Sequence, residues 1–272
     1  MTGEAQGLTR EEREEVRELS APRAPVIYEV VRRQGEDELR RPVGSLFWSG
    51  LAGGITIMAS VIAEGALAMK LPASIAWRQP VIDLGYSLGF LMVILGRMQL
   101  FTEQTIVAVL PIVANPGWRK LVITARLWVV VFLANMLGAA LAGAMNVYGK
   151  LMGDDLLRAM LQVSHRLAAK TPHEILLTGI PGGFLIASVA WLRAGVTGGE
   201  FWIVLALTSA IALGNFTHVI AGSAETFLLL FAGQVDVARA LGGMILPALG
   251  GNIIGGTCLF ALLAHAQVRQ EL

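Results

Sequence analysis

The chain has 272 residues, of which 55% are hydrophobic and 15% charged, and its mean hydropathy is +0.64. This composition excludes a soluble domain of ordinary make-up and indicates an integral membrane protein. The formal net charge of +1 says nothing about partners. The single cysteine, Cys258, excludes an internal disulfide and a thiolate metal cluster, and we expect it to serve as a small packing residue.

The first 41 residues carry 8 Arg and 10 acidic residues, and this mixed charge is typical of a solvated helix rather than of a nucleic-acid-binding patch. They contain no apolar core followed by a cleavage site, so we expect no secretory signal peptide there. The sequence predicts a charged N-terminal cytoplasmic arm over 1–41, a transmembrane domain over 42–266 and a C-terminal tail over 267–272.

Long apolar runs follow the arm, and several reach the roughly 20 residues that a membrane-spanning helix needs. The runs are 43–69, 81–96, 105–114, 121–148, 175–192, 201–214, 219–233 and 241–264. Four of these eight are too short to cross, but neighbouring short runs pair into crossings that are interrupted near 97–104 and 214–218. We therefore predict six transmembrane helices, of which the second and the fifth are broken.

An internal repeat relates the two halves of this pattern. In order along the chain, SGLAGG at 49–54 matches TGIPGG at 178–183, LFTE at 100–103 matches NFTH at 215–218, and NMLGAAL at 135–141 matches NIIGGTCL at 252–259. Because each half has three crossings, the second half must enter the membrane from the opposite side. The sequence thus predicts an all-α protein of two inverted three-helix repeats, an architecture in which broken helices border a transport pathway.

The orientation in the membrane is read from the Lys and Arg residues that flank the crossings. Those in the short connections oppose a cytoplasmic N-terminus, whereas the arginines of the arm favour it. Charges beside the first crossing usually dominate, so we expect both termini in the cytoplasm.

Seven ionisable residues fall within or at the ends of the predicted crossings, where charged groups are costly and often functional. They are Glu64, Asp83, Arg97, Glu103, Arg126, His218 and Glu225. Arg97 and Glu103 could pair with each other across the first break. For Glu225 we expect only packing or a polar contact between helices.

His218 differs from the others because it lies inside the second break, away from either predicted interface. An imidazole titrates near neutral pH and helix N-termini favour anions, so this residue is suited to meet a small anion or its proton. Thr102, in the first break, is the hydroxyl that we expect within hydrogen-bonding distance of the ring. A buried histidine that only packs and binds a carbonyl is the alternative.

The connection over 150–172 is predicted to contain a short surface helix. Four apolar residues recur there at helical spacing, with charged residues between them: Leu156, Met160, Val163 and Leu167. We expect this helix to lie on the outer surface of the protein without crossing the membrane.

Several of these segments together resemble the formate/nitrite transporter family. LFTEQT resembles the re-entrant loop of that family, and ALGNFTHVIAG resembles its fifth-helix segment, which ends in a central histidine. YSLGFLM, FLANMLGAAL and GGNIIGG resemble its second, third and sixth helices. The similarity runs from about Arg41 to Leu263.

The resemblance implies an aquaporin-like bundle that assembles as a homopentamer in a bacterial cytoplasmic membrane, with one pore per protomer, no cofactor and no enzymatic activity. It makes His218 the central histidine and Thr102 its partner. The other pathway residues that it implies are the loop pair Leu100 and Phe101, the constriction positions Tyr86, Phe90 and Ile211, and the vestibule cations Arg166 and Lys170. Thr217, Gly222 and Gly183 stand where other residues are typical of the family, which leaves the substrate open.

Two functions compete most closely. The first is a channel or transporter for small monovalent anions such as formate, nitrite, acetate or hydrosulfide, with His218 as a proton partner. The second is an aquaporin-like channel for neutral solutes, against which the sequence has one NPG at 115–117 and no paired Asn-Pro-Ala boxes. An intramembrane hydrolase that uses Ser223 and His218 is a third reading, weakened because no nucleophile motif surrounds Ser223.

Overall fold

The structure is a computed structural model that describes residues 8–271, and every regular element within that range is helical. The first seven residues of the predicted arm and Leu272 of the predicted tail lie outside the described residues. The elements below are numbered in chain order.

Two helices form the described part of the arm, α1 (Arg10–Leu19) and α2 (Ala24–Arg40). α1 begins at a capping box, in which Thr9 and Glu12 exchange hydrogen bonds with each other's backbone amides. α2 buries Tyr28 and Val31 completely, and the Tyr28 hydroxyl lies 2.8 Å from Nδ1 of His265. Part of the predicted solvated arm therefore packs against the rest of the chain.

The chain between the arm and residue 147 forms seven helices. They are α3 (Val43–Thr56), α4 (Met58–Lys70), α5 (Arg78–Gly85), α6 (Ser87–Leu95), α7 (Gln104–Val107), α8 (Leu110–Ala114) and α9 (Trp118–Val147). α3 and α4 join at Ile57 into one apolar helix of 28 residues. The break predicted near 97–104 falls between α6 and α7, as expected.

The remaining helices follow a similar pattern. They are α10 (Gly153–Ala168), α11 (Pro172–Ala194), α12 (Glu200–Leu213), α13 (Val219–Phe231) and α14 (Arg239–Val268), the last with wide π-helical turns over Arg239–Ile245 and Ile254–Ala261. The predicted interruption falls between α12 and α13. Among the described residues, four helices are long and apolar enough to cross a membrane: Val43–Lys70, Trp118–Val147, Pro172–Ala194 and Arg239–Val268.

Glycines let these long helices touch backbone to backbone. A Cβ added at Gly54 of α3 would lie 2.2 Å from the carbonyl oxygen of Asn135 in α9, and one added at Gly183 of α11 would lie 2.4 Å from that of Asn252 in α14. Real Cβ atoms cannot approach a carbonyl so closely, so both positions require glycine. These contacts pair α3 with α9 and α11 with α14.

The predicted helix in the 150–172 connection is present as α10, with Met160, Val163 and Leu167 on its buried face. This face packs against α4 and α13, while the charged face of α10 is exposed. Arg166 on this helix reaches two buried carboxylates. Cys258, expected to pack, is instead exposed on α14, because the outer side of such a helix needs no partner within its own chain.

Candidate substrate pathway

The two helix breaks begin in the same way. α6 and α12 each end in a glycine followed by a residue with left-handed backbone, Arg97 (φ 55°) and Asn215 (φ 49°). In both, the next amide, of Met98 or Phe216, returns a 2.9 Å hydrogen bond to the carbonyl five residues earlier. This hydrogen bond is the mark of a Schellman ending, which satisfies carbonyl groups that a helix end would leave free.

A buried asparagine holds the first break. Nδ2 of Asn135 donates to the carbonyls of Gly50 (2.7 Å) and Gln99 (2.9 Å), and its Oδ1 accepts from the amide of Phe101 (2.9 Å). The side chain thereby supplies partners to non-helical backbone that water cannot reach.

A second buried asparagine holds the second break with equivalent contacts. Nδ2 of Asn252 donates to the carbonyls of Gly179 (2.8 Å) and Thr217 (2.9 Å), and its Oδ1 accepts from the amide of Val219 (2.8 Å). We call Asn135 and Asn252 the two clamps. Their contacts make Thr217 the counterpart of Gln99 in the first break.

This correspondence corrects the repeat read from the sequence. Matching LFTE with NFTH pairs Glu103 with His218, whereas the clamp hydrogen bonds make Leu100 the counterpart of His218. The sequence match is out of register by three residues. The Phe-Thr pair that LFTE and NFTH share does not mark equivalent positions. The clamps bind backbone groups and place little demand on the side chains of the breaks.

His218 lies at the start of α13 with both ring nitrogens engaged. Its Nδ1 accepts the amide hydrogen of Ala221 at 3.2 Å, and its Nε2 lies 2.6 Å from Oγ1 of Thr102. Since Nδ1 accepts, the ring hydrogen is on Nε2 and points to the threonine. The predicted contact between the two breaks is therefore present, around a ring that is 1% exposed.

The apolar residues that the resemblance assigned to the pathway differ in their contacts. The Phe90 ring meets the His218 ring edge to face, with centroids 4.8 Å apart, and Tyr86 lies 5.1 Å from Phe90. Leu100 and Ile211 are fully buried. Phe101 packs its ring on Trp128 and Phe132 of α9.

A cavity of about 40 Å³ reaches the ring of His218, and we call it the His218 cavity. This volume accommodates a few water molecules or one small ion. The cavity is lined by Glu64, Tyr86, Arg166, Leu167, Lys170, Ala212, Asn215, Phe216, Thr217, His218, Gly222 and Glu225. Its two cations are the residues that the resemblance implied for a vestibule.

Both cations of the His218 cavity are engaged by protein acceptors. Arg166 donates to Glu64 (2.9 Å) and to Asp83 (2.8 Å), while Lys170 donates to the carbonyl of Asn215 (2.5 Å) and, at longer distances, to two threonine hydroxyls. Burial lowers the pKa of the Lys170 amine below its ordinary value. Burial also opposes the charge of Arg166, but its carboxylate neighbours outweigh this and raise its pKa.

Sequence reasoning missed that Glu64 and Glu225 line the same cavity. Glu64 is 1% exposed and its Oε2 has no hydrogen-bond partner, and Glu225 makes no hydrogen bond or ion pair with any described residue. The sequence spacing from His218 could have indicated one of these two residues. Glu225 follows His218 by two helical turns, so both belong to the same face of α13.

Two further cavities, of about 180 and 230 Å³, adjoin each other at the opposite end of α11. We call these two together the Arg193 cavity. Arg193 bridges Glu103 (3.0 Å) and Glu200 (2.9 Å), and Arg97 reaches Glu200 at 3.4 Å. The pairing of Arg97 with Glu103 considered from the sequence is therefore wrong. Glu38 of α2 also lines this cavity.

The geometry gives little support to an intramembrane hydrolase or to paired aquaporin-type Asn-Pro-Ala boxes. The Ser223 hydroxyl donates to the carbonyl of Val219 within its own helix at 2.6 Å, and NPG falls between α8 and α9, outside both breaks. Within residues 8–271, no cluster of three or more His, Cys, Asp or Glu residues is arranged to hold a metal ion.

Comparison with known proteins decides the family. The model of the formate/nitrite transporter family matches residues 25–266, most of the chain. The chain belongs to this family. Inner membrane protein YfdC of Escherichia coli (strain K12) is 36% identical over 253 residues, which cover 92% of this chain and 80% of that protein. The uncharacterized transporter YrhG of Bacillus subtilis (strain 168) is 24% identical over 246 residues, covering 87% of this chain and 90% of that protein.

Solved structures share the fold. An FNT family ion channel superposes with a TM-score of 0.75 at 16% identity, covering 88% of this chain and 98% of that chain. A pentameric formate channel with formate bound superposes with a TM-score of 0.72 at 17% identity, covering 84% and 98%. The helical arrangement of this chain is thus that of formate/nitrite transporter family channels.

The structure gives physical reasons for two departures from the family pattern. Gly183 leaves no space for a side chain because its Cα faces the Asn252 carbonyl. A Cβ at Gly222 would lie 3.1 Å from the Leu167 side chain, so α10 covers this position.

Proposed function

We propose that this protein conducts a small monovalent anion of the formate, nitrite, acetate or hydrosulfide class across a bacterial cytoplasmic membrane. The observation that carries the proposal is the His218 cavity, in which two cations stand above a buried imidazole where two helix breaks meet. Membership of a transporter family and the fold shared with a formate channel support the same class of solute.

The charges and the apolar side chains of the pathway suggest different tasks. Arg166 and Lys170 attract an anion to the mouth of the cavity, and the N-terminus of α13 adds the positive end of a helix dipole. Phe90 and Leu100, both fully buried, oppose the passage of a bare charge. An anion that gains a proton before this point crosses as a neutral acid at much lower cost.

His218 is the proton partner that the sequence suggests, but its contacts favour a neutral ring. Protonation of Nδ1 would remove its hydrogen bond from the amide of Ala221 and add a positive charge at the N-terminus of a helix. We propose that the ring orients Thr102 and holds the breaks together, with proton exchange as the outcome to be tested.

The helix pattern supports six crossings arranged as two inverted three-helix repeats, with α5–α8 and α12–α13 as interrupted crossings. We propose a homopentamer with both termini in the cytoplasm, by analogy with the pentameric formate channel. Large exposed side chains such as Trp48 (67%) and Trp202 (68%) require lipid or neighbouring protomers to cover them. No cofactor or covalent chemistry is required.

A channel for neutral solutes is the second candidate, supported by the mixed charges of the His218 cavity. The experiment is uptake into proteoliposomes of formate, nitrite, acetate and hydrosulfide, with urea and glycerol as neutral comparators. We expect uptake of at least one anion above protein-free liposomes and none of the neutral solutes. Uptake of urea or glycerol alone would replace the anion proposal by the second candidate.

His218→Phe tests the role of the imidazole. The phenyl ring keeps bulk and apolarity, so the protein should fold, and flux at about pH 5 and about pH 8 is compared with the unaltered protein. Identical pH profiles at reduced flux support an orienting role, whereas loss of the pH dependence identifies His218 as the proton donor.

A further inference from the structure

We propose that Glu64 and Glu225 hold one proton between them in the His218 cavity and give it to an anion bound beside Lys170 and Arg166. This inference rests on the proposed function, because it concerns the same cavity and the same class of solute. It moves the proton donor from the imidazole to a pair of carboxyl groups.

The geometry of the two carboxyl groups is the starting observation. Glu64 on α4 and Glu225 on α13 both line a cavity of about 40 Å³. Oε2 of Glu64 is buried without a hydrogen-bond partner. Glu225 has no hydrogen bond or ion pair to the described residues, so each carboxyl group has an oxygen without a protein partner.

The charge balance of the cavity favours one bound proton. Glu64, Glu225 and the adjacent Asp83 face only two cations, Arg166 and Lys170. With all five ionised the group carries one net negative charge, which repels an incoming anion. One proton shared by the two glutamates removes this charge, so proton binding and anion binding favour each other.

The other ionisable groups near the cavity do not supply this proton. Both ring nitrogens of His218 are engaged, and Tyr86 is a much weaker acid than a carboxyl group. Arg239 of α14 donates to the carbonyls of Ala168 and Lys170. Glu174 lies outside the cavity, where it completes the capping box that begins α11.

The proposed step is a single proton transfer. The hydroxyl of the protonated carboxyl breaks its O–H bond as an oxygen or sulfur atom of the anion accepts the proton, leaving a carboxylate and a neutral acid. The neutral acid moves past Phe90 and His218. The carboxylate regains a proton from water at the open side of the cavity.

Glu225→Gln tests the step because it removes the acid while breaking no hydrogen bond to a described residue. Asp154→Asn on α10 is the matched control, since it makes the same charge change at a side chain that is 66% exposed. Glu225→Asp keeps a carboxyl group. All are assembled in proteoliposomes and compared with the unaltered protein for uptake of labelled formate at about pH 5 and about pH 7.5.

At about pH 7.5 we expect Glu225→Gln to lower formate uptake by about tenfold or more. At about pH 5, where formic acid is already present in the water, the loss should shrink to about threefold or less. Glu225→Asp and Asp154→Asn should stay close to the unaltered protein. Equal losses at both pH values, or no loss, would overturn the proposal.

Infrared spectroscopy of the unaltered protein gives a second, independent measurement. The carbonyl stretch of a protonated carboxylic acid should be present at about pH 7.5, shift in D₂O and disappear in Glu225→Gln. Absence of any such difference also overturns the proposal. If the unaltered protein takes up none of the anions, the proposed function fails instead, whatever the infrared spectra show.

Discussion

The two helix breaks share one backbone arrangement but border cavities that differ in how their buried charges are paired. Each break begins at a glycine and a left-handed residue, and each is held by a buried asparagine clamp. At the Arg193 cavity, the buried arginine is matched by Glu103 and Glu200. At the His218 cavity, Glu225 has no such partner among the described residues. The backbone design is thus repeated, while the side chains pair the buried charges at one end and leave Glu225 without a hydrogen bond or ion pair at the other.

The largest expected effects come from the clamps themselves. Asn135→Leu and Asn252→Leu each leave one carbonyl and one amide of a break without partners and place an apolar side chain against them, so we expect a loss of at least about 3 kcal/mol in the free energy of unfolding. If the breaks are held alike, the two losses agree within about 1 kcal/mol. Denaturation of the detergent-solubilised protein measures both.

Asn146→Leu is the matched control for the clamp variants. Asn146 is also buried on α9, but its Nδ2 bonds only the carbonyl of Ala142 in the same helix, and its Oδ1 has no partner. We expect a change below about 1 kcal/mol. A loss as large as that of Asn135→Leu would contradict the special role of the clamps.

The next largest effect tests the ion-pair network. Arg193→Met leaves Glu103 and Glu200 without their shared partner at a side chain that is 6% exposed, so we expect a loss of about 2–4 kcal/mol in unfolding free energy. Arg97→Met, at a 70% exposed side chain, should cost less than about 0.5 kcal/mol. Similar losses for both variants would show that Arg193 is not the residue that holds this ion-pair network together.

A smaller effect, on flux, is expected from Lys170. Because burial lowers its pKa, the amine loses its charge at a lower pH than an ordinary lysine, and anion uptake should fall as the pH rises through that value. Lys170→Met should lower uptake several-fold at neutral pH, and Lys170→Arg should remove the alkaline fall because arginine stays charged. An unchanged alkaline fall in Lys170→Arg would assign it to another group.

The smallest effect is expected on the arm. The hydrogen bonds of Arg32 and Arg33 lower the pKa of Glu29 to about 2, so the carboxylate stabilises the fold above its unfolded pKa and this contribution is lost as the pH falls toward about 2. The pair is partly exposed, so Glu29→Gln should cost below about 1 kcal/mol at neutral pH. A thermal melt at about pH 7 and about pH 3 would measure it, and a larger cost at the lower pH would contradict the sign.

The sequence predicted the features that depend on length and periodicity, and the matching of the two breaks predicted the contact of Thr102 with His218. Other contacts between distant segments were missed. Both breaks were predicted because the apolar runs beside them are too short to cross. The register of the repeat was wrong because Asn135 and Asn252 bind backbone groups, whose pattern is not visible in residue identity. Arg193 was missed because its partners are 90 and 7 residues away and no local pattern joins them.

Cys258 offers a direct measure of assembly. It is the only cysteine in the chain and is exposed on α14, so a single thiol-reactive spin label marks one defined position in every copy. In a ring of five identical copies, the labels form a regular pentagon, and pulsed electron resonance should then show two distances in a ratio of about 1.6. A ring of three gives one distance, and a ring of four gives two in a ratio of about 1.4. The unaltered sequence can therefore report its own symmetry in a lipid bilayer.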